Sequence, residues 1–255
     1  MTLDWVPVGP WRVHTRLLGP SADELDTAVS VCGDVVLVHG LGMSGRYLLP
    51  VQRLLAEDFR VFAPDLPGFG RSTRPARPLT LPELADALVT WMDAVGLERA
   101  GLFGHSLGCQ VAAHVADRHP DRVSCLVLGS PSRDPRARQP WQQALRLLAD
   151  APREAPSLLP IAVSDYLRAG PWRMWRTLIE SMQTDATDRL RRLRHPALVV
   201  RGERDPVVSA WWADRVTNLL SDGELVVLPG APHGLVFSSP DALAQAARPF
   251  LAEHT

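Results

Sequence analysis

The sequence lacks lysine, since all 27 basic residues among its 255 are arginine. A mechanism that needs a lysine amine, as Schiff base or general acid, is therefore excluded. Net charge is also nearly absent, because 28 acidic residues oppose the 27 basic ones and leave a net charge of -1. Such a chain has no long-range field to hold a polyanion or an anionic membrane, so we expect neither nucleic acid nor a membrane as a partner.

Cysteine and long apolar runs are scarce as well. The three cysteines, Cys32, Cys109 and Cys125, are an odd number without the close spacing of a metal-binding pair. They are expected to be buried thiols in a reducing compartment, with no disulfide framework. Residues 1–11 have neither the basic start nor the apolar run of a signal peptide or membrane anchor. We therefore expect a cytoplasmic protein without a bound metal.

Six short apolar runs recur along the chain, with helical patterns between them. Continuous runs of valine and leucine predict parallel strands that are buried on both faces, because a half-exposed strand would alternate. The alternation of strands and helices predicts a doubly wound, mostly parallel α/β sheet, with ligands beyond the carboxyl ends of the strands. The runs cover residues 35–39, 61–64, 100–103, 123–129, 197–202 and 224–229.

This alternation stops between residues 131 and 195, which hold seven prolines, several helical patterns and no strand-like run. We interpret this stretch as an inserted helical cap, the cap segment (residues 131–195), on a core made of residues 1–130 and 196–255. The cap segment has 12 arginines against seven acidic residues. Two interpretations stay open: a basic cap rests on an acidic rim of the core, or some arginines bind an anionic substrate.

The most informative motif is Gly-x-Ser-x-Gly at residues 104–108, between an apolar run and a helical stretch. A serine at a sharp strand-to-helix turn needs small residues two positions away on either side, because a Cβ there would collide across the turn. The turn also places Ser106 at the amino end of a helix, where unpaired N–H groups favour developing negative charge. The motif therefore predicts a nucleophilic serine.

At this motif the chain resembles the α/β-hydrolase superfamily, in particular its capped esterases, lactonases and carbon-carbon bond hydrolases. The resemblance covers nearly the whole chain and rests on four segments in the family's order. These are His39-Gly40-Leu41-Gly42, the segment from Asp65 to Ser72 (DLPGFGRS), the Ser106 motif, and Gly202-Glu203-Arg204-Asp205 together with Pro232-His233-Gly234.

A serine hydroxyl needs a base within hydrogen-bond reach and a third group that fixes the tautomer of that base. The family order of serine, acid and histidine implies a histidine after the last strand, where His233 stands. For the acid, Asp205 follows the run at residues 197–202, and Glu203 is its main rival. We predict Ser106, Asp205 and His233 as the catalytic residues.

The resemblance also implies an oxyanion hole made by the backbone N–H groups of Leu41 and Leu107. His39 is expected to orient the Leu41 loop, and Asp65 to stabilise a tight turn through its side chain.

Candidate substrate-binding residues are apolar or aromatic side chains of the cap segment and of the catalytic loops. We predict Trp141, Trp175 and Leu235 as lining residues, and Trp172, Met174, Met182, Leu41 and Met43 belong to the same candidate set. Arg173 resembles the cap arginine with which carbon-carbon hydrolases hold a substrate carboxylate.

Together these features predict a serine hydrolase that cleaves a small-molecule carboxylic ester or lactone through an acyl-enzyme on Ser106. No cofactor is implied, because serine and imidazole suffice for this chemistry. One alternative is carbon-carbon cleavage of a 2-hydroxy-6-oxo-dienoate-type acid. Enzymes of that branch usually carry asparagine before the nucleophile and tryptophan after the catalytic histidine, where this chain has His105 and Gly234. The other alternative is a ligand-binding receptor on a hydrolase scaffold.

Overall fold

Eight strands of the described residues form one sheet in a computed structural model that describes residues 2–19, 33–137, 139–183 and 186–255. In chain order the strands are β1 (Thr2–Val8), β2 (Trp11–Leu18), β3 (Asp34–Val38), β4 (Arg60–Pro64), β5 (Ala100–His105), β6 (Val123–Gly129), β7 (Ala197–Gly202) and β8 (Gly223–Leu228). Their spatial order is β1-β2-β4-β3-β5-β6-β7-β8. Cys32 lies outside the described residues.

Strands β3 to β8 pair in parallel, which confirms the predicted α/β sheet. The sequence did not predict β1 and β2, which pair antiparallel with each other, while β2 also pairs antiparallel with β4. Both strands mix charged and apolar residues, and β1 contains Pro7. Proline cannot donate a backbone hydrogen bond to a neighbouring strand, so it is tolerated at a sheet edge, where β1 lies. Because charged residues interrupt the apolar ones, neither β1 nor β2 has the continuous apolar run of a central strand.

Ten α-helices lie within the described ranges. They are α1 (Leu49–Leu55), α2 (Leu81–Ala94), α3 (Leu107–Arg118), α4 (Pro140–Asp150), α5 (Leu158–Ala169), α6 (Pro171–Gln183), α7 (Ala186–Arg192), α8 (Ala210–Leu219), α9 (Leu235–Ser238) and α10 (Pro240–His254). Helix α2 begins at a capping box, in which Thr80 and Glu83 each bond the backbone N–H of the other. This reciprocal bonding satisfies two of the donors that a helix start leaves unpaired.

The central strands are buried on both faces of the sheet. In β3, Val36 and Val38 belong to the apolar cluster that includes residues of α2, α3 and α8. Val35 and Leu37 alternate with them and belong to the cluster that includes residues of α1 and α10. Because side chains of a strand point alternately to its two faces, one short apolar run supplies both halves of the core.

The helices α4 to α7 belong to the cap segment, between β6 and β7. Asp165 of α5 accepts a hydrogen bond of 2.6 Å from the Ser44 hydroxyl of the core. Arg192 of α7 forms an ion pair of 2.7 Å with Asp117 of α3. These contacts attach basic and acidic groups of the cap segment to the core at two separate places. In the described ranges, no helix is long and apolar enough to cross a bilayer.

Candidate active site

Ser106 lies at the turn between β5 and α3, with a backbone φ of 54° and ψ of -114°. This conformation is in the region that side chains disfavour, so the surrounding turn must hold it. A Cβ on Gly104 would lie 2.6 Å from the backbone N of Cys109, and one on Gly108 would collide with the carbonyl oxygen of Val38. Both glycines are therefore required by the close approach of β5, α3 and β3 at this turn.

Ser106, His233 and Asp205 form one hydrogen-bonded chain of side chains. The Oγ of Ser106 lies 3.1 Å from Nε2 of His233. The other ring nitrogen, Nδ1, lies 2.9 Å from Oδ2 of Asp205. The second oxygen of Asp205 accepts the backbone N–H groups of Val207 and Val208 at 2.7 and 2.9 Å, which fixes the carboxylate. The structure thus brings the three predicted residues together.

The environment sets the charge of the acid and the base. Burial alone would raise the pKa of the Asp205 carboxyl, but the charge and hydrogen bond of His233 and the Val208 N–H outweigh it and lower the pKa. Burial would lower the pKa of the His233 imidazole, but the charge and hydrogen bond of Asp205, with the charges of Asp150 and Glu154, raise it. The arrangement therefore favours an ionised acid beside a histidine that can take up a proton.

Glu203, the rival acid, and Asp65, the predicted turn residue, both bond backbone N–H groups. Glu203 accepts the backbone N–H of Gly230 at 2.7 Å. Asp65 is buried and accepts the N–H groups of Gly45 and Arg71, which is the turn-stabilising arrangement expected from the sequence.

Leu41 and Leu107 both line the cavity at Ser106. Leu107 is the first residue of α3, so its N–H has no partner within the helix and can face a bound oxyanion. The loop before Leu41 is fixed by His39, whose Nδ1 donates to the Gly40 carbonyl and whose Nε2 accepts the Leu66 N–H, both at 2.9 Å. Both predicted oxyanion residues therefore line the cavity at Ser106, each in a segment with a fixed backbone.

Sequence reasoning missed a buried network that joins this loop to the histidine. The Gly40 N–H donates to the Tyr47 hydroxyl at 2.9 Å, and that hydroxyl lies 2.6 Å from Nδ1 of His105. Nε2 of His105 lies 2.8 Å from the carbonyl oxygen of His233. If Tyr47 donates to Nδ1, then Nε2–H donates to that carbonyl, and every polar atom of the network is satisfied. Burial lowers the pKa of His105 to about 3, so its ring stays neutral.

A cavity of about 950 Å³ opens at Ser106 between the core and the cap segment. This volume is at the upper end of small-molecule sites. Helix α6 contributes Met174, Leu178 and Met182, which are spaced four residues apart and so share one face. The other apolar lining residues include Leu41, Met43, Leu147, Leu148, Leu158, Leu159, Ala162 and Val163.

The predictions of Trp141, Trp175 and Leu235 as lining residues are corrected by the structure. Trp141 and Trp175 are 55% and 44% exposed, whereas Leu235 is fully buried in the apolar core. The cavity is lined instead by other residues, including Met174, the immediate neighbour of Trp175. Adjacent helical residues point about 100° apart, so Trp175 turns to solvent when Met174 faces the cavity. Trp172, 67% exposed, also faces away from it.

The prediction of Arg173 as a substrate-carboxylate ligand is corrected for a similar reason. Its side chain is only 7% exposed and does not line the cavity. The guanidinium donates to the carbonyl oxygens of Pro75 and Arg77, at 2.7 and 3.2 Å. Arg173 therefore attaches α6 to a loop of the core. By contrast, Arg133, in the segment between β6 and α4, does line the cavity.

Comparison with known proteins decides the family. A model of the alpha/beta hydrolase family matches residues 35–246, which include Ser106, Asp205 and His233. The chain belongs to this family. It is a hydrolase, and the family resemblance read from its motifs is confirmed.

Relatives of this α/β-hydrolase act in more than one branch of the family. It is 31% identical over 241 residues to "Putative carbamate hydrolase RutD" of Caulobacter sp. (strain K31), covering 86% of this chain and 90% of that protein. It is 28% identical to the pimeloyl-[acyl-carrier protein] methyl ester esterase of Vibrio cholerae, over 83% of this chain and 91% of that one. A thermophilic esterase from Thermogutta terrifontis has the same fold, with a TM-score of 0.80, 24% identity and coverage of 100% and 99%.

Proposed function

We propose that this α/β-hydrolase cleaves carboxylic esters or lactones through an acyl-enzyme on Ser106. The observation that carries the proposal is the unbroken hydrogen-bonded chain from Ser106 through His233 to Asp205, at the wall of a large apolar cavity. A nucleophile, a base and a group that orients the base are the parts that this chemistry needs.

In the first half-reaction the Oγ of Ser106 attacks the ester carbonyl, and His233 takes the hydroxyl proton on Nε2. The C–O bond to the alcohol then breaks as the imidazolium returns that proton to the leaving oxygen. Asp205 keeps Nδ1 protonated and stabilises the imidazolium. In the second half-reaction water attacks the acyl-enzyme with His233 as base, which releases the acid and restores Ser106.

The N–H groups of Leu41 and Leu107 are proposed to stabilise the oxyanion of both tetrahedral intermediates. Each lies in a segment that the structure fixes independently, the first by His39 and Tyr47 and the second by α3. Preorganised donors of this kind act without reorganisation during the reaction, and removal of one costs about a hundred- to a thousandfold in turnover.

The substrate is proposed to carry an extended apolar acyl or aryl group. The cap segment (residues 131–195) acts as a cap over the core and supplies α4, α5 and α6 to the cavity wall. The volume of the cavity favours such a group over a small polar carbamate. The name of the Vibrio cholerae relative supports an ester. The carbon-carbon alternative needs a cap arginine at the substrate carboxylate, and Arg173 bonds backbone carbonyls of the core instead, which leaves Arg133, among the described residues, as the cap arginine at the cavity.

The experiment is pre-steady-state and steady-state hydrolysis of p-nitrophenyl esters, from acetyl to octanoyl, by the wild type and Ser106→Ala. We expect a burst of p-nitrophenol with the wild type and at least about a thousandfold lower turnover in the variant. Activity should rise with acyl length until the cavity is filled. Absence of turnover from folded wild type on every ester would overturn the proposal.

A further inference from the structure

Two carboxylates of the cap segment reach across to the loop that carries the histidine, the histidine loop (residues 229–234). Asp150, the last residue of α4, accepts the backbone N–H of His233 on Oδ1 at 3.2 Å. Glu154 accepts the backbone N–H of Gly234 on Oε1 at 2.5 Å. Its other oxygen accepts the Ser238 hydroxyl of α9. Two acids of one short segment therefore bond two consecutive backbone donors beside the imidazole.

Asp150 and Glu154 lie close together in the chain, and both line the cavity at Ser106. Asp150 is only 4% exposed. Two neighbouring carboxylates in a buried place are costly to ionise together, which favours one proton shared between them. Burial first, then the hydrogen bond and charge of Glu154, raise the pKa of Asp150 to about 8. Near neutral pH, Asp150 can thus donate its proton to Glu154 while its other oxygen accepts the His233 N–H.

The residue after the histidine fits this contact. A Cβ on Gly234 would lie 2.6 Å from both carboxylate oxygens of Glu154. Its φ of -78° is one that any residue adopts, so backbone conformation does not require glycine there. The Glu154 carboxylate, where it now lies, occupies the space that a side chain at this position would take.

We propose that Asp150 and Glu154 act as a single proton-sharing pair that positions the backbone of His233, and with it the imidazole, against Ser106. The proposal rests on the proposed esterase function for its kinetic consequences. His105 holds the carbonyl of His233 from the opposite side, so the peptide groups on either side of the His233 Cα are both fixed. Asp150 and Glu154 are positioning residues, since they act on the imidazole through the histidine loop.

Ionisable groups from several other elements line the same cavity as the pair. They are His233 in the histidine loop, Tyr166 in α5, Tyr47 in the loop before α1, His105 at the end of β5, and Arg133 and Asp134 in the segment after β6. Burial raises the pKa of both tyrosines above their ordinary value, so they stay neutral up to alkaline pH. Asp205, which faces His233 from the loop after β7, has a lowered pKa and is already charged. Loss of the shared proton is therefore the change expected near pH 8.

Asp150→Asn and Asp150→Ala test the pair, with Asp165→Ala as the matched control. Asparagine still accepts the His233 N–H and donates to Glu154 but cannot titrate, whereas alanine makes neither bond. Asp165 is also a buried carboxylate of the cap segment that bonds the core, through Ser44, away from the histidine loop. The measurements are kcat and KM of p-nitrophenyl ester hydrolysis between pH 5 and 10.

We expect kcat of the wild type to fall as pH rises through about 8, because the deprotonated pair repels itself and releases the loop. Asp150→Asn should keep the neutral activity and lose this alkaline fall. Asp150→Ala should lose about ten- to a hundredfold in kcat at every pH, the usual effect of a misplaced catalytic group, with a smaller change in KM. Asp165→Ala should keep the alkaline fall. The proposal is overturned if Asp150→Asn shows the wild-type alkaline fall, or if Asp150→Ala has wild-type kcat.

A second readout needs no activity, so it separates this proposal from the proposed function. The pKa of the Asp150 carboxyl is about 8 in the folded protein and 3.8 ordinarily, so its proton stabilises the folded protein fully at a pH below 3.8. This stabilisation decreases as pH rises and is lost once pH has passed about 8. The difference in Tm, that of the wild type minus that of Asp150→Asn, should therefore fall steadily between pH 4 and 8 and stay constant above pH 8. A constant difference in Tm overturns the shared proton even if esters are hydrolysed, whereas a falling difference without ester turnover overturns only the proposed reaction.

Discussion

Replacing Tyr47 by phenylalanine removes one oxygen atom from the middle of the network between the oxyanion loop and the histidine. Tyr47 is 2% exposed, and its hydroxyl bonds the Gly40 N–H at 2.9 Å and Nδ1 of His105 at 2.6 Å. Both groups are buried, and both lose their partner. A buried polar group without a partner costs about 1–3 kcal/mol, so loss of two partners should lower the free energy of unfolding by about 2–6 kcal/mol.

The same substitution should lower turnover, because Gly40 precedes the proposed oxyanion donor Leu41. Complete loss of a donor costs about a hundred- to a thousandfold in kcat, and a displaced donor costs less, so we expect about tenfold or more. The assays are urea denaturation and steady-state kinetics with p-nitrophenyl butyrate. The matched control is Thr15→Val in β2, which removes the acceptor of the buried indole N–H of Trp91 in α2. That variant should lose stability and keep kcat.

Two results would refute this reasoning. If Tyr47→Phe unfolds at the same urea concentration as the wild type, the hydroxyl does not satisfy the buried groups as described. If it loses stability but keeps kcat, as Thr15→Val should, then the network stabilises the fold without placing the oxyanion loop.

Four further variants, one of them measured as a pH profile, test other parts of the site. Gly108→Ala should give little folded protein, since its Cβ collides with a β3 carbonyl, and a normal yield on purification would contradict that contact. Arg173→Met should lower Tm without raising KM for any ester, because its guanidinium bonds backbone carbonyls outside the cavity. The acid limb of kcat/KM should fall as pH drops through the raised pKa of His233. In Asp205→Asn this limb should move to lower pH, with about a 10⁴-fold lower kcat, and an unmoved limb would contradict the assigned pair. Arg133→Gln should lower kcat/KM about tenfold more for esters with a remote carboxylate than for neutral ones, and equal losses would argue against an anion contact.

The sequence predicted those parts of the fold whose signals are local. Buried parallel strands appear as unbroken apolar runs, so β6 and β7 were predicted with the bounds that the structure has. Strands β1 and β2 mix charged and apolar residues, and β1, at the sheet edge, contains Pro7, so no such run marks either strand. Their position depends on pairing with β4, which the sequence of neither strand reveals.

The candidate site also has some residues that local motifs predict and others that no local signal reveals. Ser106, Asp205 and His233 stand at the ends of strands in recognisable motifs, and parallel strands bring such ends to one edge of the sheet. The cavity wall depends instead on the rotation of α6 about its axis. A shift of one residue exchanges Met174 for Trp175, and composition does not determine it. The partners of the histidine loop were missed because Asp150 lies 83 residues away along the chain and no motif marks it.

The imidazole of His233 is fixed by contacts from separate parts of the chain. Asp205 holds one ring nitrogen, His105 holds the carbonyl and Asp150 holds the N–H of the same residue. Two of these contacts come from the core and the third from α4, which also lines the cavity. Displacement of α4 by one or two ångströms would therefore break the third contact while leaving the first two intact. Because a misplaced base costs far more in rate than in stability, the position of the cap segment should be visible in kcat before it is visible in Tm.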